Sequence, residues 1–154
     1  MIVSNADILL QLDGLIASQK GSLRELYSDL ANVSALLAAN IEDLNWIGFY
    51  LVQDESSLIL GPFQGKVACT TIPYGKGVCG TAWKEKRVMV VPDVEAFEGH
   101  IVCDSASQSE VVVPIIKGNK VVAVLDADSP KLARFTPNEV ELLEAVAQRL
   151  APLF

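Results

Sequence analysis

Basic residues are scarce in this chain of 154 residues. Lysine and arginine together number 12 against 19 aspartates and glutamates, the net charge is −7, and the basic residues form no cluster. Because binding to phosphate backbones needs a concentrated positive surface, nucleic acid is not an expected partner. Hydrophobic residues make up 51% of the chain and charged residues 20%, a composition that predicts a folded core rather than disorder.

Long apolar runs are also missing. No run approaches the roughly 20 residues that a membrane span needs. The apolar stretch at residues 8–16 is preceded by Asp7 and interrupted by Asp13, and it has neither the basic flank nor the cleavage site of a signal peptide. We therefore expect a cytoplasmic protein that makes no membrane contact.

Cysteine and histidine are few as well. The cysteines are Cys69, Cys79 and Cys103, and the single histidine is His100. An odd number of cysteines in a chain of this size argues against a structural disulfide framework. The cysteines are 10 residues (79 − 69) and 24 residues (103 − 79) apart, without the close C-x2-4-C pair of a structural zinc site. The sequence thus predicts free thiols and no bound metal.

One glycine motif resembles a cofactor site. Gly75, Gly77 and Gly80 match the G-x-G-x-x-G pattern of dinucleotide-binding proteins. The surrounding strand-helix-strand unit, residues 67–91, is shorter than the roughly 30 residues that such a unit needs, and no second half follows it. We expect a glycine-rich turn into a short helix, and no cofactor.

Hydrophobic periodicity predicts helices at both ends of the chain and strands between them. Asn5 is expected to cap the first helix, and capping boxes at 22–25 and 136–139 open two more. Strands are predicted at 46–52, 57–60, 67–72, 87–91, 111–116 and 120–126, with a short helix at 78–86. Because long crossover helices between strands are missing, we expect an α/β fold of the α+β type, with a mainly antiparallel sheet between helices.

The three cysteines fall in different predicted settings. Cys69 lies in a predicted strand and Cys79 near a helix start, where buried small residues are common, although a helix N-terminus can also lower a thiol pKa. Cys103 lies in a long segment without periodicity, residues 92–109, beside Asp104. Loops of that length are usually functional or disordered. The polar setting makes Cys103 the candidate reactive thiol.

Three carboxylates are candidates for one cluster. Asp126 and Asp128 end the last predicted strand, and a period of two places them on one face. With a two-residue hairpin loop at 118–119, positions that sum to 237 face each other and Glu110 lies on the opposite face. A three-residue loop, or a bulge at Pro114, raises the sum to 238 and places Glu110 opposite Asp128. In that second register the carboxylates share a pocket, and at least one keeps a proton near neutral pH.

Two aromatic residues share a face of the first predicted strand. Trp46 and Tyr50 are four residues apart, so a period of two places them on the same side. An aromatic pair of this kind is most simply part of the core. It could also form the apolar wall of a small-molecule pocket, where the tryptophan face attracts a cation.

Several short motifs spread over most of the chain carry a family resemblance. They are NWIGFY at 45–50, LGPFQGK at 60–66, GKGVCG at 75–80, VPD at 91–93, GH at 99–100, CDSAS at 103–107, SE at 109–110 and LDADSP at 125–130. Together they resemble the GAF-domain free methionine-(R)-sulfoxide reductases. The resemblance implies one GAF domain over residues 1–154, with about six strands in the sheet and helices on both faces, and a homodimer.

The same resemblance implies an enzyme that reduces free methionine-(R)-sulfoxide. Matched by motif, Cys103 is the catalytic thiol, Cys69 the resolving thiol and Cys79 an auxiliary thiol. The motif residues that match the substrate pocket are Trp46, Tyr50, Glu110, Asp126 and Asp128, with Glu110 and Asp128 also expected to take part in catalysis. The expected reductant is thioredoxin.

The chemistry of the candidate residues agrees with that reaction. Reducing a sulfoxide needs a thiolate that attacks sulfur and an acid that protonates the departing oxygen. The attacking cysteine becomes a sulfenic acid, and a second thiol condenses with it to a disulfide. The alternative is a non-catalytic GAF sensor for a small effector such as a cyclic nucleotide, although the acidic residues after Phe135 are out of register with that signature.

Overall fold

The structure is a computed structural model that describes residues 3–16 and 21–154. Its helices are α1 (Asn5–Ile16), α2 (Leu23–Asn40), α3 (Gly77–Glu85) and α4 (Pro137–Leu150), with short 3-10 turns at Val94–Ala96 and Ala151–Leu153. Its strands are β1 (Trp46–Val52), β2 (Ser57–Gly65), β3 (Thr71–Pro73), β4 (Met89–Val91), β5 (Ser109–Lys117) and β6 (Lys120–Ser129).

The six strands form one antiparallel sheet in the order β3-β2-β1-β6-β5-β4. Helices α1, α2 and α4 pack on one face, where Ile47 and Phe49 of β1 point. Helix α3 and the segments after β2 and β4 cover the other face, where Trp46 and Tyr50 point. The predicted α+β fold with a central antiparallel sheet and helices on both faces is therefore confirmed. Among the described residues, no helix has both the length and the hydropathy for a membrane crossing.

Two of the predicted boundaries at the start of the chain and around β3 are wrong. The cap of α1 is Ser4 rather than Asn5, because the Ser4 hydroxyl accepts a hydrogen bond from the Asp7 amide at 3.1 Å. The predicted strand at 67–72 is reduced to β3, which starts at Thr71. Residues 66–70 form a loop, so Cys69 lies outside any strand.

Strand β2 is longer than predicted because a bulge accommodates its proline. Gly48 pairs with Phe63 and Tyr50 pairs with Leu60, so the two residues at 61–62 lie opposite one residue of β1. Pro62 has no N–H to give to the ladder, and a bulge is where a strand tolerates that loss. The strand therefore continues through Gly61 and Pro62, although a Gly-Pro pair in a sequence is typical of a turn.

A second bulge sets the register of the β5–β6 hairpin. The loop has two residues, since Lys117 pairs with Lys120, and Ile116 pairs with Val121. The next pair is Ile115 with Ala123, which leaves Val122 as an extra residue. Beyond the bulge the paired positions sum to 238, and Glu110 lies opposite Asp128. The second of the two registers allowed by the sequence is therefore the one observed, although the bulge lies on β6 and not at Pro114.

The bulge in β2 generates a stability prediction at Gly48. A Cβ at this position would lie 2.2 Å from the Phe63 Cβ and 2.8 Å from the Pro62 carbonyl oxygen. We expect Gly48→Ala to lower the free energy of unfolding by about 1–3 kcal/mol, as overpacking usually does, measured by urea denaturation.

The matched control is Gly14→Ala on the exposed side of α1, where an added Cβ would meet nothing within 4 Å. That change should raise the free energy of unfolding by up to about 1 kcal/mol, since alanine favours helices. Equal stability of the Gly48→Ala variant and the parent protein would contradict the close-approach account of β1 and β2.

Candidate active site

A pocket lies on the α3 side of the sheet, where β1, β5 and β6 run beneath the loops that carry Cys69 and Cys103. Seven of the eight site residues predicted from the sequence line it: Trp46, Tyr50, Cys79, Cys103, Glu110, Asp126 and Asp128. The eighth, Cys69, is bonded to Cys103. The fold therefore brings together residues that are spread over more than half of the chain.

Two adjacent strands, β5 and β6, place the carboxylates side by side. Glu110 of β5 pairs with Asp128 of β6, and Asp128 also pairs with Trp46 of β1. Asp126 is two residues from Asp128 and so lies on the same face of β6. Glu110 is 6% exposed and Asp126 is 5% exposed. The site is a buried acidic cluster beside an aromatic wall.

Burial raises the pKa of all three carboxyl groups. Loss of water around Glu110, together with the neighbouring Asp128 charge, raises its pKa to about 8. The pKa of Asp126 is raised well above its ordinary value by burial first and by Glu110 second. Burial, followed by the charge of Asp126, also raises the pKa of Asp128 well above its ordinary value. The cluster therefore holds protons near neutral pH, as a proton donor must.

Two buried polar atoms of the pocket lack a hydrogen-bond partner within the described part of the chain. They are Nε1 of Trp46, which is a donor, and Oδ1 of Asp126, which is an acceptor when ionised. Buried polar groups are nearly always paired, because an unpaired one costs about 1–3 kcal/mol. A donor and an acceptor left open in the same pocket indicate a ligand that carries both kinds of group.

The aromatic residues form a stacked wall. The ring centroids of Trp46 and Tyr50 are 5.8 Å apart at an interplanar angle of 24°, and Phe63 stacks on the other side of Trp46 at 5.1 Å. The Tyr50 hydroxyl donates a hydrogen bond to the Cys69 carbonyl oxygen at 2.9 Å. The wall therefore also fixes the backbone of the loop that carries Cys69. Burial raises the pKa of Tyr50, so its hydroxyl keeps its proton.

Cys69 and Cys103 form a disulfide at the mouth of the pocket. They are 34 residues apart in the chain, and their Cα atoms are 5.4 Å apart. The disulfide joins the loop after β2 to the loop before β5 across the pocket. A cysteine pair in this position can be oxidised to a disulfide and reduced to two thiols next to a molecule bound in the pocket.

Asn45 anchors the loop that carries Cys103, a role that the sequence analysis missed. Its side-chain amide donates to the Asp104 carboxylate at 3.0 Å and to the Ser107 hydroxyl at 2.9 Å. Its backbone N–H donates to the Asp128 carbonyl oxygen at 3.0 Å. The sequence signal was its position directly before the pocket residue Trp46.

Cys79 is a buried thiol at the start of α3. It is 3% exposed, and burial, followed by the charge of Asp126, raises its pKa well above the ordinary value. Burial therefore outweighs the pKa-lowering effect of a helix N-terminus, which the sequence had left open. Cys79 keeps its proton and is a poor nucleophile in this setting.

His100 lies deeper than a surface position would place it. Its Nε2 is 3.6 Å from Oε2 of Glu110, and its side chain is 13% exposed. Burial lowers the pKa of His100, so the ring is neutral near pH 7. His100 thus belongs to the pocket beside the proton-holding Glu110, although it was not among the predicted site residues.

Comparison with known proteins shows relatives over nearly the whole chain. The GAF domain family model matches residues 18–152. The "Free methionine-R-sulfoxide reductase" of Escherichia coli (strain K12) is 46% identical over 144 residues, which cover 93% of this chain and 84% of that protein.

Solved structures agree with that relationship. The free methionine-R-sulfoxide reductase of Neisseria meningitidis in complex with its substrate is 40% identical, with a TM-score of 0.90 over 97% of this chain and 87% of that chain. The reduced form of fRMsr of Staphylococcus aureus is 46% identical, with a TM-score of 0.88 over 97% of this chain and 94% of that chain. On sequence and fold together, this chain has the GAF fold and belongs to the family of free methionine-R-sulfoxide reductases.

Proposed function

We propose that this protein reduces free L-methionine-(R)-sulfoxide to L-methionine. The observation that carries the proposal is the Cys69–Cys103 disulfide at the mouth of a pocket whose floor is a buried, proton-holding carboxylate cluster. Thiol chemistry and acid chemistry are then available within one pocket. A non-catalytic sensor would need neither, so the structure favours the enzyme over the alternative function.

In the reduced enzyme, the sulfur of Cys103 attacks the sulfoxide sulfur while the sulfoxide oxygen is protonated. Glu110 is the proposed proton donor, because its pKa of about 8 leaves it protonated at neutral pH. Asp128 lies opposite Glu110 and raises the pKa of that donor. The oxygen then moves to the Cys103 sulfur as the bond between the two sulfurs breaks, so Cys103 becomes a sulfenic acid and is oxidised by two electrons. Methionine leaves with its sulfur reduced by two electrons, and the thiol proton of Cys103 replaces the proton that Glu110 gave up.

The resolving step forms the disulfide. The Cys69 thiol attacks the Cys103 sulfenic acid, which releases water and joins the two sulfurs. The Cα separation of 5.4 Å in the bonded state lies within the usual range for a disulfide. A dithiol reductant then restores both thiols, and we propose thioredoxin for this step.

The substrate's own groups match the unpaired atoms of the pocket. The substrate ammonium can donate to Oδ1 of Asp126, and an acceptor oxygen of the substrate can bind Nε1 of Trp46. The apolar carbons can pack on the Trp46 and Tyr50 wall. The proposal takes residues 1–154 as one domain that works as a homodimer in the cytoplasm.

The cysteine roles are tested one thiol at a time. Cys103→Ser should abolish even a single turnover, because Cys79 is buried and keeps its proton and Cys69 does not line the pocket. Cys69→Ser should release about one methionine per subunit and leave a Cys103 sulfenic acid that a dimedone-type probe traps. Thioredoxin-driven turnover of that variant should collapse, as followed by NADPH consumption with thioredoxin reductase.

Cys79→Ser is the matched comparison for the cysteine series. Retained multiple turnover in Cys79→Ser is the expected result, because the disulfide pair is intact. Loss of thioredoxin-driven turnover in Cys79→Ser, with full turnover in Cys69→Ser, would transfer the resolving role to Cys79. Stoichiometric methionine from Cys103→Ser would remove Cys103 from the catalytic position.

Selectivity for the free amino acid follows from the acidic pocket. N-acetyl-methionine sulfoxide lacks the ammonium that Asp126 would bind, so its kcat/KM should fall by about 10²-fold, since a hydrogen bond to a charged group contributes about 1.5–3 kcal/mol. The measurement is methionine release from the two compounds in parallel. Comparable kcat/KM values would show that the carboxylates do not bind the ammonium.

The protonation of Glu110 predicts a pH dependence of stability. The folded state keeps the Glu110 proton up to its pKa of about 8, whereas the unfolded chain loses it near the ordinary glutamate pKa of 4.5. The stabilisation is therefore complete below about pH 4.5 and is lost as the pH rises through 8, by up to about 1.4 kcal/mol per pH unit for one proton.

Glu110→Gln should accordingly flatten the fall in unfolding free energy between pH 6 and about pH 8, measured by urea denaturation of the oxidised protein. Glu55→Gln, which makes the same substitution at an exposed position, is the matched control. An unchanged slope in Glu110→Gln would mean that Glu110 is ionised at neutral pH and cannot be the donor.

A further inference from the structure

Three atoms of kinds that bind metal ions meet at the floor of the pocket. The sulfur of Cys79 and one carboxylate oxygen each from Glu110 and Asp126 lie within 4.8 Å of one another. The three residues are between 3% and 6% exposed. They come from α3, β5 and β6, so their spacing in the sequence does not predict that they lie together.

Two further features of the pocket point to a ligand at this place. Oδ1 of Asp126 is buried and has no hydrogen-bond partner in the described part of the chain. His100 lines the same pocket and brings its Nε2 to 3.6 Å from Oε2 of Glu110. A thiol and an open carboxylate oxygen are both donors that zinc binds in proteins, and a neutral imidazole lies next to them.

We propose that the pocket floor binds a thiophilic divalent cation, zinc or cadmium, through Cys79, Glu110 and Asp126, with a water molecule as the fourth ligand. Bond lengths of about 2.0–2.3 Å place the ligand atoms of a tetrahedral zinc site roughly 3.5 Å apart. The cluster of 4.8 Å therefore needs a contraction of about 1 Å, which side-chain rotation supplies. The protons of the thiol and carboxyl groups pass to the solvent when the cation binds.

The oxidised enzyme is the form in which this site is best defined. Cys69 and Cys103 are then bonded, and Cys79 is the one free thiol of the chain.

A cation bound at this site would occupy Glu110 and Asp126, so that neither residue could contact the substrate. Inhibition of turnover by zinc is thus an expected consequence, and this consequence rests on the proposed function. Metal binding itself does not depend on the proposed function. Binding is measured on the oxidised protein without any substrate, so the two proposals can fail separately.

The experiment is equilibrium dialysis of the full oxidised chain against ZnCl2, with bound metal counted per chain. One zinc per chain is expected. Cys79→Ser and Asp126→Asn should each lower the affinity by about 10-fold or more, the scale on which changes around metal sites act. Glu55→Gln, which removes an exposed carboxylate, should bind as the parent protein does.

Cadmium gives a second readout that does not depend on the variants folding. CdCl2 added to the oxidised parent protein should produce the ultraviolet charge-transfer absorption of a cadmium–thiolate bond, and Cys79 is the thiol left to form it. Absence of that absorption would overturn the proposal. Equal zinc affinity in Cys79→Ser, Asp126→Asn and the parent protein would overturn it as well.

Discussion

Burial of three carboxyl groups side by side on one face of the sheet is the constraint on which the rest of the site depends. Glu110 and Asp126 are almost fully removed from water, and like charges so close together cannot all ionise freely. Their pKa values are raised as a consequence, with Glu110 at about 8. Ionisation of the cluster lowers the free energy of unfolding. The same cluster provides protons and an unpaired acceptor atom on Asp126 at the floor of the pocket, next to the Cys69 and Cys103 pair. The groups proposed to act on the substrate are thus the same groups that lower the stability of the fold when they are ionised.

Much of the architecture could be predicted because it depends on local physics. The capping box at Thr136 and Glu139 marks the start of α4 in the sequence and is present in the structure. Both faces of β1 are apolar in the sequence, which predicts a sheet with other elements packed on both sides. The register of the β5–β6 hairpin could be stated only as two alternatives. The deciding residue, Val122, is one of several consecutive apolar residues, so nothing in its side chain distinguishes a bulge from a regular pair.

The rest of the site depends on contacts between distant segments, which periodicity does not encode. The strand predicted at 57–60 continues through Pro62 because of a bulge. The loop after it therefore lies at residues 66–70 and contains Cys69, which was predicted to lie in a strand. Asn45 holds the Cys103 loop through partners 59 and 62 residues away. His100 approaches Glu110 only because the long loop before β5 folds over the pocket. Burial of Cys79 among these groups, and not its helix position, decides its pKa.

The disulfide pair and the carboxylate cluster are proposed to act together on one free amino acid. The most direct measurement gives the two epimers of free methionine sulfoxide separately to the enzyme, with thioredoxin, thioredoxin reductase and NADPH, and follows methionine formation. We expect the R epimer to be consumed over many turnovers while the S epimer is left untouched. Failure to reduce the R epimer, or equal reduction of both epimers, would contradict this joint action.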